Sequence, residues 1–120
     1  MLTPIAYGLA ILLNLLVSFV GLRFLLAPEA AAAGYGVPAS RSAYLTIKGV
    51  RDGTYGLVGL ALLAFAGAHA EAWFMLVVAL CPLGDFVIVL RNNGPKPTAF
   101  AVHFATAMAV LLSAGLLFAV

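Results

Sequence analysis

Four apolar runs, at residues 4–26, 46–67, 73–90 and 98–120, leave this chain few ways to fold. Each approaches the length a helix needs to cross bilayer hydrocarbon, about 20 residues. In lipid every backbone amide must be satisfied within its own segment, so such runs become helices. Short connections then make consecutive helices antiparallel. The reading is an all-α fold, an integral membrane antiparallel four-helix bundle, as one domain over residues 1–120. Composition agrees: 65% of the residues are hydrophobic and 8% charged, against about a quarter charged in soluble domains. The net charge of +2 is too small and too dispersed for a nucleic-acid partner. A single cysteine, Cys81, excludes an internal disulfide and cannot hold zinc alone. The first run lacks a basic leader and is too long for a signal peptide, so it is expected to be retained.

Charge inside the second run needs a reason. Ile47-Lys48-Gly49-Val50-Arg51-Asp52-Gly53 sets three charges where that run begins. Charged groups in an apolar span are costly, tend to be paired or to face protein or water, and often mark function. On a helical wheel Lys48, Arg51, Asp52, Tyr55 and Gly59 share one arc. Gly49, Gly53 and Gly56 form an adjacent stripe that lets another helix approach closely. In the third run Arg91 can snorkel to the interface but Asp85 cannot, so Asp85 needs a partner from another helix or a proton. Pro82 leaves the Val78 carbonyl without its helical donor. The fourth run carries His103 a turn and a half inside. Its Ala101, Ala105, Ala109 and Ser113 have small-xxx-small spacing, suited to packing on another helix. Asn14 and Arg23 point to opposite faces of the first helix, and Asn14 is expected to join helices rather than contact a ligand.

The connections set the orientation. Pro28 suits a helix start, Ala30 to Ala33 continue a turn, and Gly34 is expected to stop it. Gly34-Tyr35-Gly36-Val37-Pro38 reads as an interfacial turn anchored by Tyr35. Ser40 or Ser42 would cap the second helix. His69 and Glu71 fall in a short second loop, and Asn92-Asn93-Gly94-Pro95-Lys96-Pro97 is a turn. All six Lys and Arg lie in or beside the first and third connections. The positive-inside rule therefore places both termini outside the cytoplasm. It also gathers Arg23, Lys48, Arg51, Asp52, Asp85 and His103 toward the cytoplasmic end.

That constellation has two readings. Asp52 follows Arg51 and shares an arc with Lys48, whereas Asp85 has only apolar neighbours on its own face. Two carboxylates so differently placed can divide acid and base roles, with His103 titrating near neutrality. On this reading Asp85, Asp52 and His103 are catalytic candidates, and Arg23, Lys48, Arg51 and Tyr55 help bind a lipophilic small molecule. The competing reading pairs Arg51 with Asp85 or Arg23 with Asp52 as structural salt bridges. The chain is then a non-catalytic membrane subunit, or a scaffold that oligomerises through its small-residue faces. A proton-coupled carrier ranks third, because four spans leave little room for alternating access. No second His or Cys stands at ligand spacing, so no metal is expected.

Several elements together resemble a known family. They are Gly21-Leu22-Arg23-Phe24 followed by Pro28, Gly34-Tyr35-Gly36-Val37-Pro38, Lys48-Gly49-Val50-Arg51-Asp52 with Gly56, Pro82-Leu83-Gly84-Asp85, and His103. The chain is similar through them to a small bacterial and fungal integral-membrane family of unknown function, DoxX-like in its four-helix design. The resemblance covers nearly the whole chain. It implies an antiparallel bundle in a bacterial inner (plasma) membrane, surrounded by lipid, and carries over no catalytic residue. Quinone-linked sulfur oxidation among some DoxX-like proteins makes a quinone the one cofactor the resemblance allows. The residues themselves require none, and Cys81 alone lends it no support.

Overall fold

The computed structural model describes residues 1–38 and 43–120. Ser40 and Ser42, the expected caps of the second long helix, lie outside the described residues. The described chain forms five helices. They are α1 (Leu2–Leu26), α2 (Pro28–Tyr35), α3 (Ala43–Ala61, extended by a π-helical turn at Leu62–Ala66), α4 (Ala68–Arg91) and α5 (Lys96–Ala119). No strand occurs among the described residues. Three of the helices, α1, α4 and α5, are long and apolar enough to cross a membrane. Helix α3 carries Lys48, Arg51 and Asp52 in its first half and is less apolar than these three.

The molecule measures 43 × 25 × 19 Å, and its long axis matches a bilayer with its headgroups, about 40–45 Å. Its outer surface is apolar: Phe65 is 90% exposed, Leu80 68% and Leu12 63%. An apolar surface of this extent suits lipid better than water.

Packing rests on small residues. Helix α1 lies between α3 and α5, α4 packs along α5, and α3 scarcely meets α4. The α1–α3 contact is backbone on backbone. A Cβ added to Gly21 would stand 2.6 Å from the Gly49 carbonyl oxygen, and one added to Gly49 would stand 2.8 Å from the Gly21 oxygen. Such approach replaces the hydrophobic driving force that lipid does not supply. Two cores follow. Ala6, Ala10, Leu63, Ala72, Met75 and Leu117 fill one end of the bundle. At the other, Phe24, Ala31, Ala32 and Leu45 fasten α2 beneath α1 and α3.

Three local expectations are corrected. Gly34 does not end α2. The helix runs to Tyr35, where Gly36 takes a left-handed conformation (φ +86°). The Gly36 and Val37 amides then return to the Ala33 and Ala32 carbonyls, the bond pair of a Schellman cap. Helix α4 begins at Ala68, so His69 and Glu71 belong to its first turn rather than to a loop. Ala101 and Ala105 are exposed, whereas Ala99, His103, Ala107 and Ala114 form the inward face of α5. Of the small-residue stripe, Ala101 and Ala105 therefore face outward, Ala109 is half-buried and Ser113 is buried within the bundle.

Candidate functional site

Tyr35 is the hub of the polar end. The Schellman cap at Gly36 fixes where α2 stops and so directs the Tyr35 ring between the long helices. Its hydroxyl donates to Asp85 Oδ2 on α4. Its backbone carbonyl accepts from His103 Nε2 on α5 at 2.7 Å. Because a carbonyl only accepts, Nε2 carries the hydrogen, and Nδ1 is the acceptor of a neutral ring. The Tyr35 and His103 rings meet edge on, with centroids 4.3 Å apart. Above the Tyr35 ring, 4.0 Å from its centroid, sits the Lys48 ammonium of α3, which also lies 5.1 Å from the Phe24 ring. Lys48 closes the arrangement with a 2.9 Å salt bridge to Asp52. A cation over aromatic faces gains more where water is scarce. Burial first, and then the Asp85 carboxylate, hold the Tyr35 phenol above its ordinary range. It therefore remains a hydrogen-bond donor at neutral pH.

Tyr35, Asp52, Asp85 and His103 form the polar end of a cavity of about 290 Å³. Its apolar walls include Val17, Val20, Phe74, Met75 and Val110, and Asn14 also lines it. A second recess of about 260 Å³ is lined by residues of α3 and α4 and shares Asp52, Tyr55, Cys81 and Asp85 with the first. The cavity is thus flanked where α3 and α4 part.

The seven candidate residues distribute as follows. Tyr35 brings Lys48, Asp85 and His103 together, and Asp52 joins them through its salt bridge to Lys48. Arg23 and Tyr55 line the cavity. Arg51 lines only the outer recess. Among the described residues neither Arg51–Asp85 nor Arg23–Asp52 forms a salt bridge; Asp52 pairs with Lys48, and the partner of Asp85 is a phenol. Asn14 does join helices, packing its amide against Gly59 and donating to the Ala10 carbonyl at 2.9 Å. No group of three His, Cys, Asp or Glu is placed to hold a metal ion among the described residues.

Sequence reasoning missed Tyr35 as a site residue because an aromatic in a Gly-rich connection reads as an interface anchor. The available signal was its position just before Gly36 and three residues ahead of Pro38. That position makes it the last residue of a capped helix, and a last residue can be aimed.

The fold and site define a small all-helical protein with three membrane-length helices and a cavity that is polar at one end. The chain belongs to the family described as a domain of unknown function, DUF4267, which matches residues 14–117. The match includes every polar residue that lines the cavity. The chain matches no curated protein and no solved structure.

Proposed function

We propose that this protein is a four-span integral-membrane bundle, DoxX-like in design, that binds a lipophilic small molecule and performs acid–base chemistry on it. The observation that carries the reading is the cavity itself. Apolar walls lead to one end where Asp52, Asp85, Tyr35 and His103 converge from four helices. A cavity that is mostly apolar with few convergent polar groups is the usual form of a small-molecule site. The parting of α3 and α4 supports access from within the bilayer. Asp85 and His103 are the proposed proton-transfer pair, Tyr35 holds Asp85 in place, and Arg23 and Tyr55 complete the binding surface. Asp52 stays with Lys48 as a fixed ion pair. On this proposal α3 is the fourth span, since its charged arc faces α2 and the cavity. Both termini then lie outside the cytoplasm of a bacterial inner membrane, and α2 lies at the inner interface.

Native mass spectrometry of the protein released from its own membrane tests the proposal. A retained small molecule, lost in Asp85→Asn while the fold persists, is the expected result. A bare protein, with Asp85→Asn as stable as wild type, would overturn it.

The hydrogen-bond pattern favours a second reading. Tyr35, Asp85, His103, Lys48 and Asp52 satisfy one another, as a structural network locking α2 to the bundle would require. The exposed Ala101 and Ala105 then supply a face for a second copy or another membrane subunit. Under this reading Asp85→Asn lowers stability and no small molecule is retained.

A further inference from the structure

Fourteen residues before Asp85 on α4, roughly 21 Å along the helix, lies a carboxyl that the polar cavity does not use. Glu71 is fully buried, with 0% exposure, and among the described residues no donor reaches either of its side-chain oxygens in full hydrogen-bond geometry. Asn14 of α1, itself buried, is the polar side chain that acts on it. Among the described residues the other elements at this end bring no counter-charge to it. On α4 His69 turns onto Phe118 of α5, with ring centroids 6.1 Å apart. Helix α3 brings Leu63, and α5 brings Ala114 and Leu117. Tyr7 of α1 packs at the same end. No Lys, Arg or second carboxylate acts on Glu71 among the described residues.

An ionised carboxylate in such a place would lose its hydration with no counter-charge to replace it, and burial therefore disfavours the charged form. Among the described residues no group of three His, Cys, Asp or Glu stands here to hold a metal cation, and hard divalent ions take six or so oxygen ligands. A proton is the ligand that fits. We propose that Glu71 is a proton-binding site, a neutral carboxylic acid whose hydrogen-bond partner is the Asn14 amide.

Asn14 suits both protonation states. Its nitrogen already donates to the Ala10 carbonyl, which leaves its oxygen to accept from the acid and its second N–H to serve the carboxylate. Asn14 also lines the cavity. Asn14 thus stands between Glu71 and the cavity, and the proton exchanges with water that reaches the carboxyl from that side, with no electron moved and only the O–H bond of the acid made or broken. The site stands whether or not the cavity holds a lipophilic ligand.

Dicyclohexylcarbodiimide, an apolar reagent that adds to protonated carboxyls, tests the proposal on the full chain in lipid vesicles. We expect one adduct, mapped to Glu71 by peptide mass spectrometry, that forms about tenfold more slowly for each pH unit above the midpoint of the acid. Glu71→Gln mimics the neutral acid, so it should lose the adduct and keep the melting temperature. Asn14→Leu should shift the pH at which labelling halves, while Asp85→Asn, which tests the cavity, leaves labelling of Glu71 unchanged. Three results would overturn the proposal: no adduct at Glu71, a rate that ignores pH, or protection by sodium chloride that choline chloride does not give. The last would make this a sodium site.

Discussion

Tyr35 shows what a single side chain does in this protein. One ring receives a cation on its face, one hydroxyl holds Asp85, and one carbonyl holds His103. Tyr35→Phe keeps the ring and removes the donor, leaving a partly buried carboxylate one bond short. Thermal denaturation in detergent should show a loss of about 1–3 kcal/mol, the usual cost of an unsatisfied buried group. Unchanged stability would mean that Asp85 finds water or another donor instead. The raised phenol range gives a second, signed expectation. Above about pH 10, where a free phenol ionises, the unfolded chain gives up the Tyr35 proton and the folded chain keeps it. The folded state then binds more protons, so stability falls as pH rises further. Tyr35→Phe should remove that part of the alkaline decline, as read from melting temperatures across the range.

At the scale of elements, the α1–α3 contact depends on where a side chain would have to go. Gly56 faces α1 so closely that an added Cβ would lie 3.0 Å from the Ser18 Cβ, with the Asn14 carbonyl nearer still. Gly53 belongs to the same sequence stripe, yet a Cβ there meets nothing within 4 Å. Gly56→Leu should therefore cost about 1–3 kcal/mol or prevent folding, as overpacking does. Gly53→Leu should stay within about 0.5 kcal/mol, as substitutions in open space do. Parallel melting curves of the two variants check this, and equal effects would mean that α3 is rotated from the orientation described. Helix α5 carries a comparable detail. Its π-helical turn at Ala99–Phe104 contains His103, and such turns recur at functional sites because they re-aim one side chain.

The whole molecule presents a charge asymmetry that its membrane must read. Six Lys and Arg flank the first and third connections, and the turn between α3 and α4 has none. In a Cys81→Ser background, His69→Cys should react with an impermeant thiol reagent added outside intact cells, and Asn92→Cys should not. The opposite pattern would invert the proposed orientation. With it would go the assignment of the Tyr35–Asp85 end to the cytoplasmic side and of Glu71 to the outer side.

The sequence by itself determined the all-α class of the fold and the close approach of another helix to α3 at Gly49 and Gly56. Runs of apolar residues leave the backbone no choice but helix, and small residues at regular spacing advertise a close neighbour; both are local properties that survive without knowledge of the rest of the chain. It also singled out Asp52, Asp85 and His103, because an isolated charge or imidazole in an apolar run is conspicuous. Only the tertiary structure decided who their partners are. Asp85 meets a phenol and not a guanidinium, because α2 continues one residue beyond Gly34 before Gly36 caps it and so carries Tyr35 under Lys48. Glu71 looked like a loop residue, because Gly67 sits just ahead of it and a helix start is the least certain feature of a sequence. Burial of its carboxyl follows from α1 and α5 closing around the first turn of α4. That closure depends on pairings distant along the chain, which periodicity does not record.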